Sequence, residues 1–385
     1  MSKQWLIIAD ELSSDSVAAA LAVLIREKDP ALTLHAFGGP ELSSVVHYCP
    51  QMITKSHAFG MWERFLKRRQ YRQFYRQLKR YCEAHNFEKV ILVDCAYSYT
   101  DIVPILQEKS LSIDWVICPH VWMWNNHKKA AIITDAATRL FCIFPKEYDY
   151  FSDRHPRTFY FGHPVMSLDA IDCRKSERSR HAAQLEKLKR PPKKVTTVAI
   201  CPGSRPQEIK ALLPDMLRGF QLFQSKQMAK AFILVDSLEA ERISQKILDE
   251  SGVLDCHLYQ ASKESLFVQS DCAISATGTL TLALAVWMLP TLVLAKVSLP
   301  TYLILKYIIR FKLSFFALPN ILSGTAIFPE LIQHFTPQDI ERELWDLSHD
   351  GVSNTAKDAL APLMDSLRVE DDPYDAIARK LLASD

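Results

Sequence analysis

The chain has 385 residues, of which 48% are hydrophobic and 23% charged, with a formal net charge of +2 at pH 7. This length exceeds what one hydrophobic core usually supports and fits two α/β domains. The balanced charge gives no reason to expect a nucleic-acid partner. The nine cysteines form no Cys-x-x-Cys pair and no metal-ligand spacing, which predicts free thiols in a reducing, cytoplasmic compartment.

A first buried strand is predicted at residues 5–9, where the apolar run is too short for a signal peptide and soon reaches acidic residues. Glu11, Ser13 and Asp15 follow this strand. The carboxyl end of a first parallel strand is where doubly wound sheets place ligands, which makes all three candidates for function. Each of them could equally cap the helix that begins there.

Residues 64–80 predict an amphipathic helix with one aromatic and one basic face, and eight of these residues are Lys or Arg. The first interpretation is a solvated charged face above a stripe packed in the core. The second is a surface that binds anionic lipid. Nucleic-acid binding is the third, and neither a basic groove nor a recognised fold supports it.

Two further strands, at residues 89–93 and 114–118, end in polar and aromatic loops that predict the rim of a ligand cleft. Asp94 opens the first loop, and His120 lies in the second. Another strand is predicted at residues 140–144.

The strongest site signal is a strand–turn–helix at residues 195–208. Gly203 allows a sharp turn, Ser204 is a natural N-cap, and the free N–H groups of the first helical turn form an anion site. Arg205 adds a fork of donors that suits a diphosphate. An ordinary strand–turn–helix with a surface arginine is an equal alternative.

A second turn of small residues, Thr277, Gly278 and Thr279, follows the strand-like segment 272–276. Two such turns at strand ends of one sheet can converge on one nucleotide diphosphate. Beyond them, residues 280–316 are largely apolar, but prolines and charged residues interrupt them. We therefore expect a buried helix and strand and then a helix that touches a membrane or binds acyl chains, rather than a transmembrane span.

Seven segments resemble, in chain order, the motifs of the lipid-A-disaccharide synthase family. For example, residues 9–15 (Ala-Asp-Glu-Leu-Ser-Ser-Asp) are similar to A-G-E-T-S-G-D, and residues 119–124 (Pro-His-Val-Trp-Met-Trp) to P-S-V-W-A-W. Each motif is short, whereas the ordered series is specific and extends from about residue 5 to residue 335. The matching segments are 9–15, 94–97, 119–124, 161–164, 202–208, 276–279 and 318–331.

The resemblance implies an α/β fold of the GT-B type, in which two Rossmann-like domains face each other across a cleft. The expected organisation is an N-terminal acceptor- and membrane-facing domain at 1–170, a charged linker at 171–194 and a UDP-sugar-binding domain at 195–355. Residues 356–385 are expected to form C-terminal helices.

The family transfers 2,3-diacylglucosamine, with inversion, from its UDP derivative to 2,3-diacylglucosamine 1-phosphate, giving a β-1,6 disaccharide and UDP in lipid A biosynthesis. The resemblance implies no cofactor, no required metal and no nucleic acid. It places the protein peripherally on the anionic inner face of the cytoplasmic membrane, and a homodimer is one expected state. The residues implied in UDP-sugar binding are Gly203, Ser204, Arg205, Glu208, Thr277, Gly278, Thr279, Asn320 and Ser13.

The chain also departs from the family pattern. The second aspartate of the family's D-A-P-D loop falls on Tyr97, and a tyrosine with a pKa near 10 is a poor base at neutral pH. The glutamate expected on the ribose hydroxyls falls on Ala283, and a glycine of the first motif is Asp10. Because inverting transfer needs a base for the acceptor hydroxyl, Asp94 and Glu11 become the first catalytic candidates.

Two classes of function remain open at this point. The first is an active, divergent lipid-A-disaccharide synthase, which Arg205 and Asn320 favour. The second is a non-catalytic homologue that binds a nucleotide or lipid, which the changes at residues 97 and 283 favour. Another GT-B transferase that acts on a lipid-linked sugar lies between the two.

Overall fold

The computed structural model describes residues 3–52, 68–96, 98–124, 126–167, 195–296 and 314–383. The chain divides into two compact units. Unit 1 consists of Met1–Ser167 together with Leu367–Asp385, and unit 2 consists of Leu168–Ser366. The predicted charged linker at 171–194 lies outside the described residues.

Unit 1 is built on a seven-stranded parallel sheet with the strand order β3-β2-β1-β4-β5-β6-β7. Its strands are β1 (Gln4–Ala9), β2 (Thr33–Gly38), β3 (Tyr48–Met52), β4 (Lys89–Val93), β5 (Ser112–Val116), β6 (Arg139–Cys142) and β7 (Thr158–Tyr160). Its helices are α1 (Leu12–Lys28), α2 (Pro40–Val45), α3 (Arg68–Ala84), α4 (Tyr99–Gln107), α5 (His127–Ala136) and α6 (Pro145–Ser152), with 3-10 turns at His120–Trp124 and Pro164–Met166.

The central strands are apolar because helices cover both faces of a parallel sheet. Leu6 and Ile8 of β1 are fully buried, as are Val90 and Leu92 of β4. This continuous apolarity is why the sequence predicts β4 with its observed bounds. The predicted strands at 114–118 and 140–144 begin earlier, at Ser112 and Arg139.

Helix α3 packs its apolar stripe into the core of unit 1. Phe74, Leu78 and Cys82 belong to the buried cluster, while Arg72 and Arg76 are exposed. The apolar stripe of this helix is therefore a core surface, as the first interpretation predicted, and its basic face is open to solvent. Residues 64–67 of the predicted helix lie outside the described part of the chain.

The last helix, α14 (Pro373–Leu382), belongs to unit 1, where its C-terminal carbonyl groups meet two cations. Arg139 donates to the carbonyl oxygens of Lys380 (2.8 Å) and Leu381 (3.1 Å) and pairs with buried Asp114, and Lys89 Nζ donates to the Leu381 carbonyl at 2.6 Å. Cations stabilise the negative end of a helix. The predicted C-terminal segment 356–385 is thus divided between the two units.

Unit 2 is built on a six-stranded parallel sheet with the strand order β10-β9-β8-β11-β12-β13. Its strands are β8 (Thr196–Cys201), β9 (Ala229–Leu234), β10 (Cys256–Tyr259), β11 (Cys272–Ala276), β12 (Thr291–Ala295) and β13 (Glu330–Ile332). Its helices are α7 (Pro206–Gln224), α8 (Leu238–Ser251), α9 (Lys263–Gln269), α10 (Thr279–Val286), α11 (Leu318–Ser323), α12 (Pro337–Ser348) and α13 (Asp350–Leu367).

The apolar stretch that begins at residue 280 forms the buried helix α10 and the buried strand β12, as predicted. Residues 297–313, where a membrane-contacting or acyl-binding helix was predicted, lie outside the described residues. Among the residues that are described, none of the helices is long and apolar enough to span a bilayer.

Candidate active site

Each sheet has a switch point, which is a pair of neighbouring strands from whose carboxyl ends the chain continues in opposite directions. The loops that follow these two strands lie side by side. In unit 2 these strands are β8 and β11, and Cys201 is the register partner of Ser275. Ligands of open α/β sheets bind at the carboxyl ends of such strand pairs. The two predicted phosphate-binding turns, 202–205 and 277–279, therefore lie next to each other.

The first turn depends on a glycine. Gly203 has φ +98°, and a Cβ placed on it would lie 2.6 Å from Oε2 of Glu208. Any other residue would be strained by its backbone conformation and would displace Glu208. Glu208 is buried, and its Oε1 lies 3.6 Å from Nη1 of Arg205. The predicted site residues from Gly203 to Glu208 thus form one connected turn.

Helix α7 begins at Pro206, so its N-cap is Arg205 and not the predicted Ser204. Proline is favoured at the first helical position because its missing N–H costs no intrahelical bond. The side chain of the N-cap residue Arg205 makes no capping hydrogen bond to this helix. The N–H groups of its first turn therefore remain directed at the space before the helix, where an anion is stabilised.

The second turn is open to solvent. Gly278 has φ +144°, and both Gly278 and Thr279 are exposed. The backbone of Thr277 is fixed to β12, because its N–H donates to the carbonyl of Leu294 at 3.2 Å. The turn thus offers backbone and hydroxyl groups beside the turn at 202–205.

Asn320 is fully buried at the start of α11, a helix that packs against α10. Its amide nitrogen donates to the Phe328 carbonyl and to Oε1 of Glu330, both at 2.7 Å, and its Oδ1 accepts from Phe328 N–H at 2.9 Å. These bonds explain why the two halves of the motif 318–331 occur together. The Asn320 amide holds this segment in place, which makes its contribution to the predicted donor site a positioning one.

In unit 1 the switch point lies between β1 and β4. Ala9 and Val93 are register partners, so the loops that begin at Asp10 and Asp94 leave the sheet side by side. The structure therefore brings together Asp94 and Glu11, the two catalytic candidates.

The backbone at Asp94 is strained. Asp94 has φ +63° and Cys95 φ +55°, two consecutive left-handed residues that are not glycine. Asp94 N–H donates to the Val116 carbonyl at 2.9 Å, and Trp115 Nε1 donates to the Asp94 carbonyl at 3.0 Å. Such strain costs about 1–3 kcal/mol per residue and persists where neighbours fix it, often at functional sites.

The Asp94 carboxyl lies in an environment that disfavours its charge. Burial raises the pKa of Asp94 well above its ordinary value, and the neighbouring carboxyl groups of Glu11, Asp10 and Glu147 raise it further. Its Oδ1 is inaccessible to solvent, and no described residue donates a hydrogen bond to that atom. A carboxyl group with a raised pKa is suited to accept a proton from a substrate.

The other residues of the first loop have different roles. Asp15 accepts N–H bonds from Gly39 (2.6 Å) and Glu41 (3.0 Å) and so caps α2, a different helix from the one that begins after β1, whose N-cap residue is Glu11. Ser13, predicted in UDP-sugar binding, is exposed on the first turn of α1.

Asp10, Glu147 and His163 were not predicted as site residues, whereas His120 was predicted in a loop at the rim of the ligand cleft. Asp10 is 2% exposed and accepts a hydrogen bond from the hydroxyl of Ser98. Glu147 is fully buried, and burial raises its pKa to about 8. Desolvation lowers the pKa of His120 to about 4 and that of His163 to about 3, so both rings are neutral at pH 7. Of the residues that were missed, Asp10 alone could have been found from the sequence, because it stands where the family motif has a glycine.

One group of potential metal ligands exists among the described residues: Cys118, Cys142 and Glu147, whose ligand atoms lie within 4.8 Å of one another. All three are buried, and burial raises the pKa of both thiols. Metal binding requires thiolates, so this group is better explained as part of the core.

Comparison with known proteins identifies the family. The family model described as lipid-A-disaccharide synthetase matches residues 5–370. The chain belongs to this family. A lipid-A-disaccharide synthase of Anaeromyxobacter dehalogenans (strain 2CP-C) is 26% identical over 359 residues, which cover 93% of this chain and 91% of the relative. The predicted class, a glycosyltransferase of lipid A biosynthesis, is confirmed.

Solved structures support the fold. S. aureus MnaA, in a structure with UDP, is similar with a TM-score of 0.62 at 12% identity, over 99% of this chain and 95% of MnaA. WaaG, a glycosyltransferase involved in lipopolysaccharide biosynthesis, has a TM-score of 0.52 at 10% identity, over 99% of this chain and all of WaaG (100%). The predicted GT-B fold, with its two parallel-sheet α/β domains, is confirmed.

Proposed function

We propose that this family member is an active lipid-A-disaccharide synthase, which transfers 2,3-diacylglucosamine from its UDP derivative to 2,3-diacylglucosamine 1-phosphate. The observation that carries the proposal is Asp94. Its carboxyl has a raised pKa and a buried oxygen to which no described residue donates, at a ligand-binding edge of a parallel sheet. A homologue that only binds a nucleotide has no need of such a group.

The donor's diphosphate is assigned to unit 2. The N–H groups at the start of α7 and the turn at 277–279 receive phosphate oxygens, and Arg205 supplies the charged fork. Gly203 and Glu208 shape this turn, and Asn320 holds the neighbouring α11. The UDP in the S. aureus MnaA structure supports a UDP-linked donor for this fold.

The reaction is a single displacement. The 6-hydroxyl oxygen of the acceptor attacks the anomeric carbon of the donor, and Asp94 accepts the hydroxyl proton. The new C–O bond forms on the face opposite the leaving group while the bond from the anomeric carbon to the β-phosphate oxygen breaks, so the configuration inverts to β. UDP leaves with both bonding electrons, and Arg205 with the helix N–H groups stabilises its charge.

The base must be ionised to act, so the pKa of Asp94 fixes how the rate depends on pH. Because burial raises that pKa, kcat/KM should rise with pH through a midpoint above the ordinary carboxyl range, and activity should be lost as the pH falls below it.

The proposal places the protein peripherally on the anionic inner face of the cytoplasmic membrane, where its acylated substrates reside. The exposed basic face of α3 supports this location. The membrane contact of residues 297–316 and the homodimer remain predictions.

Turnover tests the proposal. Purified protein with UDP-2,3-diacylglucosamine and 2,3-diacylglucosamine 1-phosphate should release UDP and form the β-1,6 disaccharide in equal amounts. UDP binding without either product would contradict the proposal and favour the non-catalytic homologue. UDP release with a different acceptor alone would favour another transferase to a lipid-linked sugar.

A further inference from the structure

Asp10 is a buried carboxyl group that neither the family motif nor the proposed mechanism explains. The resembling motif has a glycine at this position, and the side chain of Asp10 is 2% exposed. The chain thus carries an acid after β1, and it has Tyr97 where the family's second aspartate after β4 is expected. Compared with the family motifs, the chain has the same number of carboxyl groups in these two loops, but one of them lies in the loop after β1 instead of the loop after β4.

We propose that Asp10, held by Ser98, is a positioning residue for Asp94. The negative charge of Asp10 opposes ionisation of Asp94 and so makes Asp94 a stronger base. This inference rests on the proposed function, since it assigns Asp10 a role in the same reaction. Asp10 acts through Asp94 and takes no proton from the acceptor itself.

The first support is the register of the sheet. Ala9 and Val93 are partners in the parallel ladder, so Asp10 and Asp94 follow at equivalent positions of neighbouring strands. Asp10 is also among the carboxyl groups whose charge raises the pKa of Asp94, so the two groups interact electrostatically. Two acids that interact in this way do not ionise independently.

The second support is the use of Ser98. Ser98 is the N-cap residue of α4, but its hydroxyl does not cap that helix and donates instead to Oδ2 of Asp10. A hydroxyl donor and the positive end of a nine-residue helix both stabilise a carboxylate. Both interactions favour the charge on Asp10, whereas the backbone hydrogen bond from Ala96 to Asp94 lowers the pKa of Asp94 by less than burial raises it.

The remaining acids around Asp94 come from other elements. Glu11 precedes α1, and Glu147 lies on α6; both raise the pKa of Asp94, after burial, together with Asp10. Glu147 is protonated at neutral pH because burial raises its own pKa to about 8. The thiol of Cys95 stays neutral, since burial raises its pKa well above the ordinary value. Apart from Glu147, the carboxyl groups that raise the pKa of Asp94 are thus those of Glu11 and Asp10.

The test is the titration of Asp94 in the full chain without substrate. Aspartate labelled with ¹³C at the carboxyl carbon gives a signal for Asp94, assigned by its loss in Asp94→Asn. Asp10→Asn should lower the Asp94 midpoint by about one pH unit, a tenfold change in proton affinity. The acid limb of the kcat/KM profile should move down by the same amount, and Asp10→Glu should restore both values.

Glu88→Gln is the matched control. Glu88 directly precedes β4, at the opposite end of the strand from Asp94, and its ion pair with Lys3 is largely exposed. This change removes the same charge and should leave the Asp94 midpoint in place. Should Asp10→Asn fail to fold, Ser98→Ala tests the inference instead. Loss of the Ser98 hydroxyl makes the charged form of Asp10 less stable, so this variant should also lower the Asp94 midpoint.

An Asp94 midpoint that is unchanged in Asp10→Asn, or equally shifted by Glu88→Gln, would overturn the inference. The inference and the proposed function fail separately. A chain without turnover whose Asp94 midpoint still responds to Asp10 refutes the synthase, and an active chain whose midpoint does not respond refutes the role of Asp10.

Discussion

Single residues shape the turn of unit 2 that is proposed to bind the diphosphate. Gly203 adopts a left-handed backbone, and Glu208 fills the space where its Cβ would stand. Arg205 lies at the N-cap of α7, beside the N–H groups of the first helical turn. The guanidinium of Arg205 and the backbone N–H groups of the first helical turn thus belong to neighbouring positions of the chain.

Arg205→Ala should weaken UDP binding roughly 10- to 100-fold, since a hydrogen bond between charged groups contributes about 1.5–3 kcal/mol. Isothermal titration of the full chain with UDP measures this loss. Arg218→Ala, which removes an exposed charge from the same helix, is the control and should bind UDP as the unchanged chain does. Unaltered affinity in Arg205→Ala would remove the phosphate assignment.

The sequence predicted the site residues that directly follow strands. It missed the site residues whose contacts join distant parts of the chain. Asp94 and Glu11 could be proposed because each follows a recognisable apolar strand. The contact between Asp10 and Ser98 joins residues 88 positions apart, so it depends on β1 and β4 being neighbours. Glu147 resembles any acid in the first turn of a helix, and only burial distinguishes it.

Among the elements, α3 shows how one helix serves two surfaces. Phe74 and Leu78 are packed in the core, whereas Arg72, Arg76 and Arg80 face solvent. The aromatic side of the stripe is therefore not available to lipid at these positions. Any contribution of α3 to membrane binding must be electrostatic and sensitive to salt.

The triple change Arg72→Gln, Arg76→Gln and Arg80→Gln should weaken binding to phosphatidylcholine vesicles that contain phosphatidylglycerol, because each basic residue near an anionic surface contributes about 1 kcal/mol. Vesicle co-sedimentation at rising salt measures this. Vesicles of pure phosphatidylcholine are the control. Binding that neither salt nor the triple change reduces would return the basic face to a solubilising role.

A second element depends on one amide. Asn320 connects α11 to the strand β13 through Phe328 and Glu330, and Glu330 also accepts from the N–H of Ala317 at 2.8 Å. The start of α11 is thereby fixed beside α10, the helix that follows the turn at 277–279.

Asn320→Ala should lower the free energy of unfolding of unit 2 by about 2–3 kcal/mol, because it leaves a buried carbonyl, N–H and carboxylate without their partner. Thermal unfolding followed by calorimetry measures the change. Ser323→Ala on the same helix, whose hydroxyl bonds are local, should cost less than about 1 kcal/mol. Equal losses in both variants would show that the Asn320 bonds are not a special anchor.

Buried strands were predictable because parallel strands are apolar on both faces, and β4 illustrates this. Strand β3 (Tyr48–Met52) was missed because it lies at the sheet edge, contains Pro50 and has no apolar run. The place of α14 was equally hidden, since it depends on Arg139 reaching carbonyls more than 240 positions away.

At the scale of the whole molecule, the two units repeat one principle. Each has a parallel sheet with one switch point, and the candidate site residues lie in the loops there: the turns proposed to bind phosphate in unit 2 and the carboxyl groups in unit 1. The motifs at residues 9–15, 94–97, 202–208 and 276–279 pointed to these loops because each of them lies at the end of a predicted strand. The family match over residues 5–370 covers both units.

The most direct measurement is turnover and UDP affinity in Asp94→Asn, with Glu88→Gln as the control. Loss of a general base should lower kcat by about 10²–10⁴-fold, and UDP affinity should stay unchanged because the proposal assigns Asp94 to the acceptor hydroxyl and not to the diphosphate. Full turnover in Asp94→Asn would contradict the account and move the base to another group.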